Sequence, residues 1–250
     1  MATTRQIGAS SIGVTTKPVS HADFLNNYFY FFMSLLVAGV VVYGFSHTIN
    51  KNLFHPAVPP PAILYLHAVV FTGWLLFFIF QSALVRTHNV PLHRRTGWFG
   101  FALGISILLV GVSTAIAMAR FHIRQGATDA EGFLIVPLFD MIAFSIPFAL
   151  AIYWRKKPEF HRRLILIASC ALTAAGFGRF PAFLLPPPFF YAGVDVLILL
   201  GVVRDLIVNR RIHAVYLYGL PVFALGQVIV TYTFTHNSPW WLKIAHAIVS

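Results

Sequence analysis

Four ionisable side chains stand inside long apolar runs of this sequence: His67, Asp140, Arg179 and Asp195. Each costs about 2.5–3.5 kcal/mol to place in hydrocarbon, so each needs a reason to be there. Arg179 lies eight residues before Pro187 and Asp195 eight after it, which makes the two level on neighbouring antiparallel helices. The spacing predicts an ion pair between them. One arginine cannot compensate two carboxylates in a medium of low dielectric, so Asp140 must then be protonated or complete its partners with His67 or water. An uneven set of this kind is the chemistry of a proton or ligand site, transporter-like or carrier-like. If it holds no ligand, the same pair simply ties two helices together. Trp74 and Gln81 extend the set. With His67 and His88 they recur every seven residues, on one narrow helix face that should point inward. Pro137 and Pro147 flank Asp140 and can free backbone carbonyls beside a cavity. Ser169, Thr173 and Gln227 are the residue types that join membrane helices by hydrogen bonds.

A second set lies at the other end of the apolar runs. Pro91-Leu92-His93-Arg94-Arg95 and Pro158-Glu159-Phe160-His161-Arg162-Arg163 each open an apolar run, with their histidines 68 residues apart. That interval is one helical hairpin with its connections, so the two hairpins read as copies of one unit. Arg210-Arg211-Ile212-His213 repeats the chemistry without the order. From their positions alone, these histidines read as contacts to lipid headgroups at the inner interface.

The elements that must position these residues are membrane helices. Of the 250 residues 58% are hydrophobic and only 10% charged, far short of the roughly one quarter a soluble domain carries. A helix needs about 20 apolar residues to cross a bilayer. Seven stretches qualify, at 24–46, 62–85, 97–119, 132–154, 163–185, 189–208 and 213–235, the sixth with Arg204 and Asp205 near its end. The runs lack the alternation of barrel strands. The fold class expected is therefore an all-α membrane protein, a bundle of seven transmembrane helices. Residues 1–22 are expected to be a disordered cytoplasmic tail, 23–236 the bundle, and 237–250 a segment lying on the outer interface.

The net charge of +11 does not signal nucleic acid, because the basic residues cap apolar runs and form no continuous face. Counting alternate connections and the N-terminal tail together, one side holds 13 of the 18 Lys and Arg residues. The positive-inside rule then puts the N-terminus in the cytoplasm of a multi-pass cell-membrane protein, with lipids, including anionic headgroups at the inner face, as its partners. Cys170 is the sole cysteine, so neither a disulfide nor a cysteine metal cluster can form within the chain. His47, His55, His122 and His236 have no metal-ligand spacing, and His122 is expected just outside the third helix. No span supplies the lysine that a retinal Schiff base requires.

The run from His67 through Trp74, Gln81 and Arg86 to Leu92-His93-Arg94-Arg95-Thr96-Gly97-Trp98 resembles a group of bacterial multi-pass membrane proteins of uncharacterised function. Glu159-Phe160-His161-Arg162-Arg163-Leu164 and Gly178-Arg179-Phe180-Pro181 share the resemblance, which covers nearly all of residues 62–250. It implies a location and no activity. A fainter likeness is to the ascorbate-reducing b-type cytochromes, in which histidines from alternate helices ligate two haems. That likeness implies one haem b between His93 and His161, with arginines beside it for the propionates. It departs at Asp140, which stands where a histidine partner for His67 would be. Electron transfer, transport and a purely structural role in a membrane complex thus remain the three classes open to the chain.

Reporter fusions after Arg95, Arg163 and Arg211 are expected to report from the cytoplasm, and fusions near Thr128 and at the C-terminus from outside. A cytoplasmic C-terminus would remove a span or reverse the orientation.

Overall fold

Continuous apolar runs without period-two alternation fold as helices, because only intrasegment hydrogen bonds satisfy the backbone in lipid. In the computed structural model, which describes residues 21–250, the described residues contain no strand. The ten α-helices are α1 His21–Ser46, α2 Ile63–Arg86, α3 Val90–Arg124, α4 Ala130–Phe133, α5 Ile135–Tyr153, α6 Pro158–Ala171, α7 Ala174–Phe177, α8 Phe190–Asn209, α9 Ala214–Thr235 and α10 Pro239–Val249. Residues 1–20 of the expected tail, with Arg5 and Lys17, lie outside the described residues; His21 and Ala22 open α1 and are not tail.

Six helical segments are long and apolar enough to cross a membrane: Asp23–Ser46, Ile63–Arg86, Val90–Arg124, Ala130–Tyr153, Pro158–Phe177 and Ala214–Thr235. They make a multi-pass membrane protein of the chain. The remaining long helix, α8, has 20 residues but carries Asp195, Arg204 and Asp205, more charge than a lone apolar span bears.

Local chemistry explains most of the boundaries. Asn89 caps α3 by accepting the Leu92 N–H, and Pro91 occupies the first turn, where its missing N–H costs nothing. The helix therefore starts seven residues before the expected span, and it also runs past the expected end, so His122 lies inside it. The α4–α5 break at Leu134 falls three residues before Pro137, whose ring removes the hydrogen bond to the Phe133 carbonyl. At the end of α6 the Thr173 hydroxyl takes the Cys170 carbonyl, and α7 continues as a single short turn. The fifth expected span, 163–185, thus ends at Phe177, and residues 178–189 are turns rich in proline.

Two antiparallel hairpins, α2–α3 and α5–α6, meet along α3 and α5. Helix α1 closes the other side against α2, α6, α7 and α8, and α9 packs on α5 and α8. The last segment, expected to lie on the outer interface, forms the helix α10. Trp241 of α10 is buried and donates to the Glu131 and Gly132 carbonyls, while Arg120 binds the carbonyls of Ile248 and Val249 at 3.0 Å each.

The α1–α7 crossing depends on two glycines. A Cβ at Gly44 would overlap the backbone of Gly176, where no side chain can move aside. Gly44→Ala is expected to lower the thermal unfolding temperature of the purified protein, with a loss of about 1–3 kcal/mol. An unchanged unfolding temperature would show that the two helices separate without cost.

Candidate functional site

The end of the bundle that carries the basic connections holds the chain's best-built polar site. Helix α6 begins at Pro158 and presents Arg163 on its second turn; α8 presents Arg204 and Asp205 on its last turns. The Arg163 guanidinium grips the Asp205 carboxylate with two parallel bonds, Nε to Oδ2 at 2.7 Å and a terminal nitrogen to Oδ1 at 2.6 Å. Arg163 is 1% exposed and Asp205 0%. The second terminal nitrogen of Arg163 binds the carbonyl and carboxylate of Glu159 at 2.6 and 2.7 Å. Arg204, also 1% exposed, donates to Asp205 at 2.9 Å and to Asn26 of α1 at 2.6 Å. Asn209 supplies a further bond to Asp205 at 3.0 Å.

The sequence read Arg163 and Arg204 as charges that set topology, at the inner ends of the fifth and sixth spans, and gave them no partner. The structure buries both inside the protein. The available signal was Asp205, an acidic residue at the end of an apolar run with an arginine directly before it.

The two histidine motifs converge on the same end. His93 and His161 face each other with ring centres 6.3 Å apart and ring planes at 75°. The Nδ1 of His161 donates to the Ala151 carbonyl at 2.9 Å; since a carbonyl can only accept, the proton is on Nδ1 and Nε2 keeps its lone pair. The buried Nδ1 of His93 has no partner among the described residues. His213, which the sequence grouped with these motifs, does a different job. Its Nδ1 accepts the Val215 N–H at 3.2 Å and caps α9, while its ring meets Phe160 at 4.7 Å. Burial, then Arg163, hold His213 below its ordinary pKa, in the neutral form that can accept.

The apolar-run residues gather only in part: the charge of Arg179 reaches His67, as expected. No ion pair joins Arg179 to Asp195. Arg179 lies past the end of α7, so counting helical rise from the proline turn misplaced it. Its guanidinium stacks on Phe45 at 4.2 Å and binds Thr48 at 3.2 Å and the Ala175 carbonyl at 2.5 Å. Asp195 accepts instead from Gln227 of α9 at 3.0 Å, and Asp140 from Tyr191 of α8 at 2.9 Å. His67 stacks on Phe71 at 3.9 Å, with a buried Nδ1 that has no partner among the described residues. Tyr191, which sequence reasoning passed over, is one helical turn from Asp195, so α8 carries both contacts on one face.

The seven-residue stripe is inward over its middle. Trp74 is buried between Phe144 and Phe148 and donates to Ser169 at 3.3 Å; Gln81 donates to Thr96 at 2.6 Å. His88 lies beyond α2 and is exposed. Ser169 and Gln227 join helices as expected, whereas the Thr173 hydroxyl stays within its own helix.

The chain matches no protein-family model, no curated protein and no solved structure.

Asp205→Asn leaves Arg163 and Arg204 buried without their shared anion. The loss of stability expected is about 3–5 kcal/mol, the range for breaking a buried pair. Thermal unfolding in detergent measures it, and a variant within 1 kcal/mol of the parent (the scale of an exposed pair) would mean that the network is solvated.

Proposed function

We propose that the chain is a b-type haem protein of the cell membrane that carries electrons, with His93 and His161 as the residues that would hold one haem. The observation that carries this reading is the facing histidine pair. An imidazole nitrogen binds a transition metal at about 2 Å, so two rings ligating one ion from opposite sides stand about 6 Å apart, centre to centre. The 6.3 Å separation has that spacing. A metal-ligating histidine also normally donates its other ring nitrogen to a carbonyl or carboxylate, which fixes the tautomer. His161 already does so through Ala151. His93 offers a buried ring nitrogen that nothing else uses. The two histidines come from different helices, α3 and α6, one from each hairpin. A haem bound there would supply one-electron chemistry; the chain's own residues orient the ligands and exclude water.

The matched Pro-x-x-His and Pro-x-His helix starts support a duplicated hairpin whose two copies each give one ligand. Orientation follows the basic residues, with the N-terminus and the histidine pair on the cytoplasmic side. Helix α8 brings the number of spans to seven, because its Arg204 and Asp205 are paired with each other and with Arg163 inside the bundle.

A second reading, proton carriage, rests on a separate observation. Asp140 and Asp195 are each held by a neutral donor, Tyr191 and Gln227, and neither has a cation within 4 Å among the described residues. Carboxyls so placed in a membrane are stable as acids.

Protein purified from cells supplied with haem is expected to show a reducible Soret band. His93→Ala or His161→Ala should abolish the band, while His88→Ala leaves it intact. Absence of the band in the parent protein ends the haem reading.

A further inference from the structure

Two clefts open side by side where α3 ends, at the opposite end of the bundle from the histidine pair. One, of about 250 Å³, is bordered by Arg120, Arg124, Glu131, His246 and Ser250. The other, of about 240 Å³, is bordered by Pro61, Ala117 and Phe121, and again by Arg120 and Arg124. The two arginines thus form the wall between a polar space and an apolar one. Helix α3 places them there, because positions 117, 120, 121 and 124 recur at three and four residues and share one helix face. Their depth is set too. Arg120 is the first charged residue after the apolar stretch of α3, and Pro61 stands just before that of α2, so both clefts lie where hydrocarbon meets headgroups.

The wall is partly fixed and partly free. Nε and one terminal nitrogen of Arg120 bind the carbonyls of Val249 and Ile248, which holds its guanidinium in place. Its other terminal nitrogen and the whole guanidinium of Arg124 have no hydrogen-bond partner among the described residues. Glu131 is taken by His246 at 3.0 Å, and no carboxylate among the described residues, the terminal one at Ser250 included, lies within 4 Å of either arginine. A cation in the last turn of a helix is favoured for its own sake. That accounts for Arg124 alone and not for the apolar cleft behind it.

Two arginine forks one turn apart match the oxygens of a phosphate, and an apolar cleft beside them takes hydrocarbon. A lipid carries both groups at that spacing. Glu131, which could hold the ammonium of a zwitterionic headgroup, is already engaged. We infer that Arg120 and Arg124 bind an anionic phospholipid, with its phosphate in the polar cleft and the start of one acyl chain in the apolar one. In the orientation proposed above, the lipid belongs to the outer leaflet.

Thermal unfolding of the delipidated protein in dodecyl maltoside tests the site, with dioleoylphosphatidylglycerol, dioleoylphosphatidylcholine or sodium phosphate added at equal ionic strength. Phosphatidylglycerol is expected to raise the unfolding temperature by about 3–6 °C for each tenfold increase in its micellar fraction above half-saturation. Phosphatidylcholine and phosphate should give no such rise. Arg124 bonds to nothing in the protein, so Arg124→Gln should unfold at the parent temperature without lipid and need about ten times more phosphatidylglycerol for the same rise. Ala117→Trp, which fills the apolar cleft, should blunt the response as well, and the exposed Arg211, replaced as Arg211→Gln at the other end of the bundle, should leave it intact. A flat response to phosphatidylglycerol, an equal one to phosphatidylcholine, or a full one in Arg124→Gln or Ala117→Trp overturns the site. A response to phosphate as large as that to the lipid shows a bare anion site and overturns the lipid. If Ala117→Trp does not fold, Arg124→Gln decides alone.

Discussion

Everything at the basic end of this bundle is arranged around the grip of Arg163 on Asp205. Two unit charges removed from water each lose several kcal/mol of solvation, and mutual attraction makes this good only when the geometry is close to ideal. Here the fork of the guanidinium meets both carboxylate oxygens, and the spare donors and acceptors are taken up by Glu159, Arg204 and Asn209. The pair fixes α6 to α8. Through Arg204 and Asn26 it also fixes α1 to α8, so the helix farthest away in sequence is tied to the same point. The register of α6 is thereby set, and with it the direction of His161, two residues before Arg163. The histidine pair inherits its alignment from the ion pair.

The two ends of the molecule solve the problem of buried polarity differently. At the basic end charges meet charges, and the helices can be held firmly because charge-assisted bonds are strong and directional. In the opposite half Asp140 and Asp195 meet only neutral donors on α8 and α9. Bonds to neutral donors are weaker than charge-assisted ones, so the helices there are held together less firmly than at the basic end.

How much of this was legible in the sequence follows from what each signal depends on. Span positions depend on hydrophobicity summed over many residues, and α1, α2, α8 and α9 accordingly lie within a few residues of their expected limits. The histidine pair was legible because a motif repeated at hairpin spacing returns its residues to the same end of the bundle. Arg179 was not, because its depth was inferred by assuming continuous helix, and a local competition at Thr173 and the proline-rich turn after it broke that assumption. Arg163 and Asp205 were hidden for a different reason. In an inner loop the same residues would satisfy the positive-inside rule equally well, so composition alone cannot separate a topology signal from a buried partner.

That ambiguity has a physical remedy within the chain itself. An arginine that serves only topology needs water or a headgroup and no fixed neighbour, as with the exposed Arg94, Arg155 and Arg211. An arginine that enters the bundle must bring an anion with it. Glu159 and Asp205, two of the seven acidic residues, are both bound to Arg163. A fully buried acid beside an arginine marks that arginine as taken out of water, as Asp205 does for Arg163.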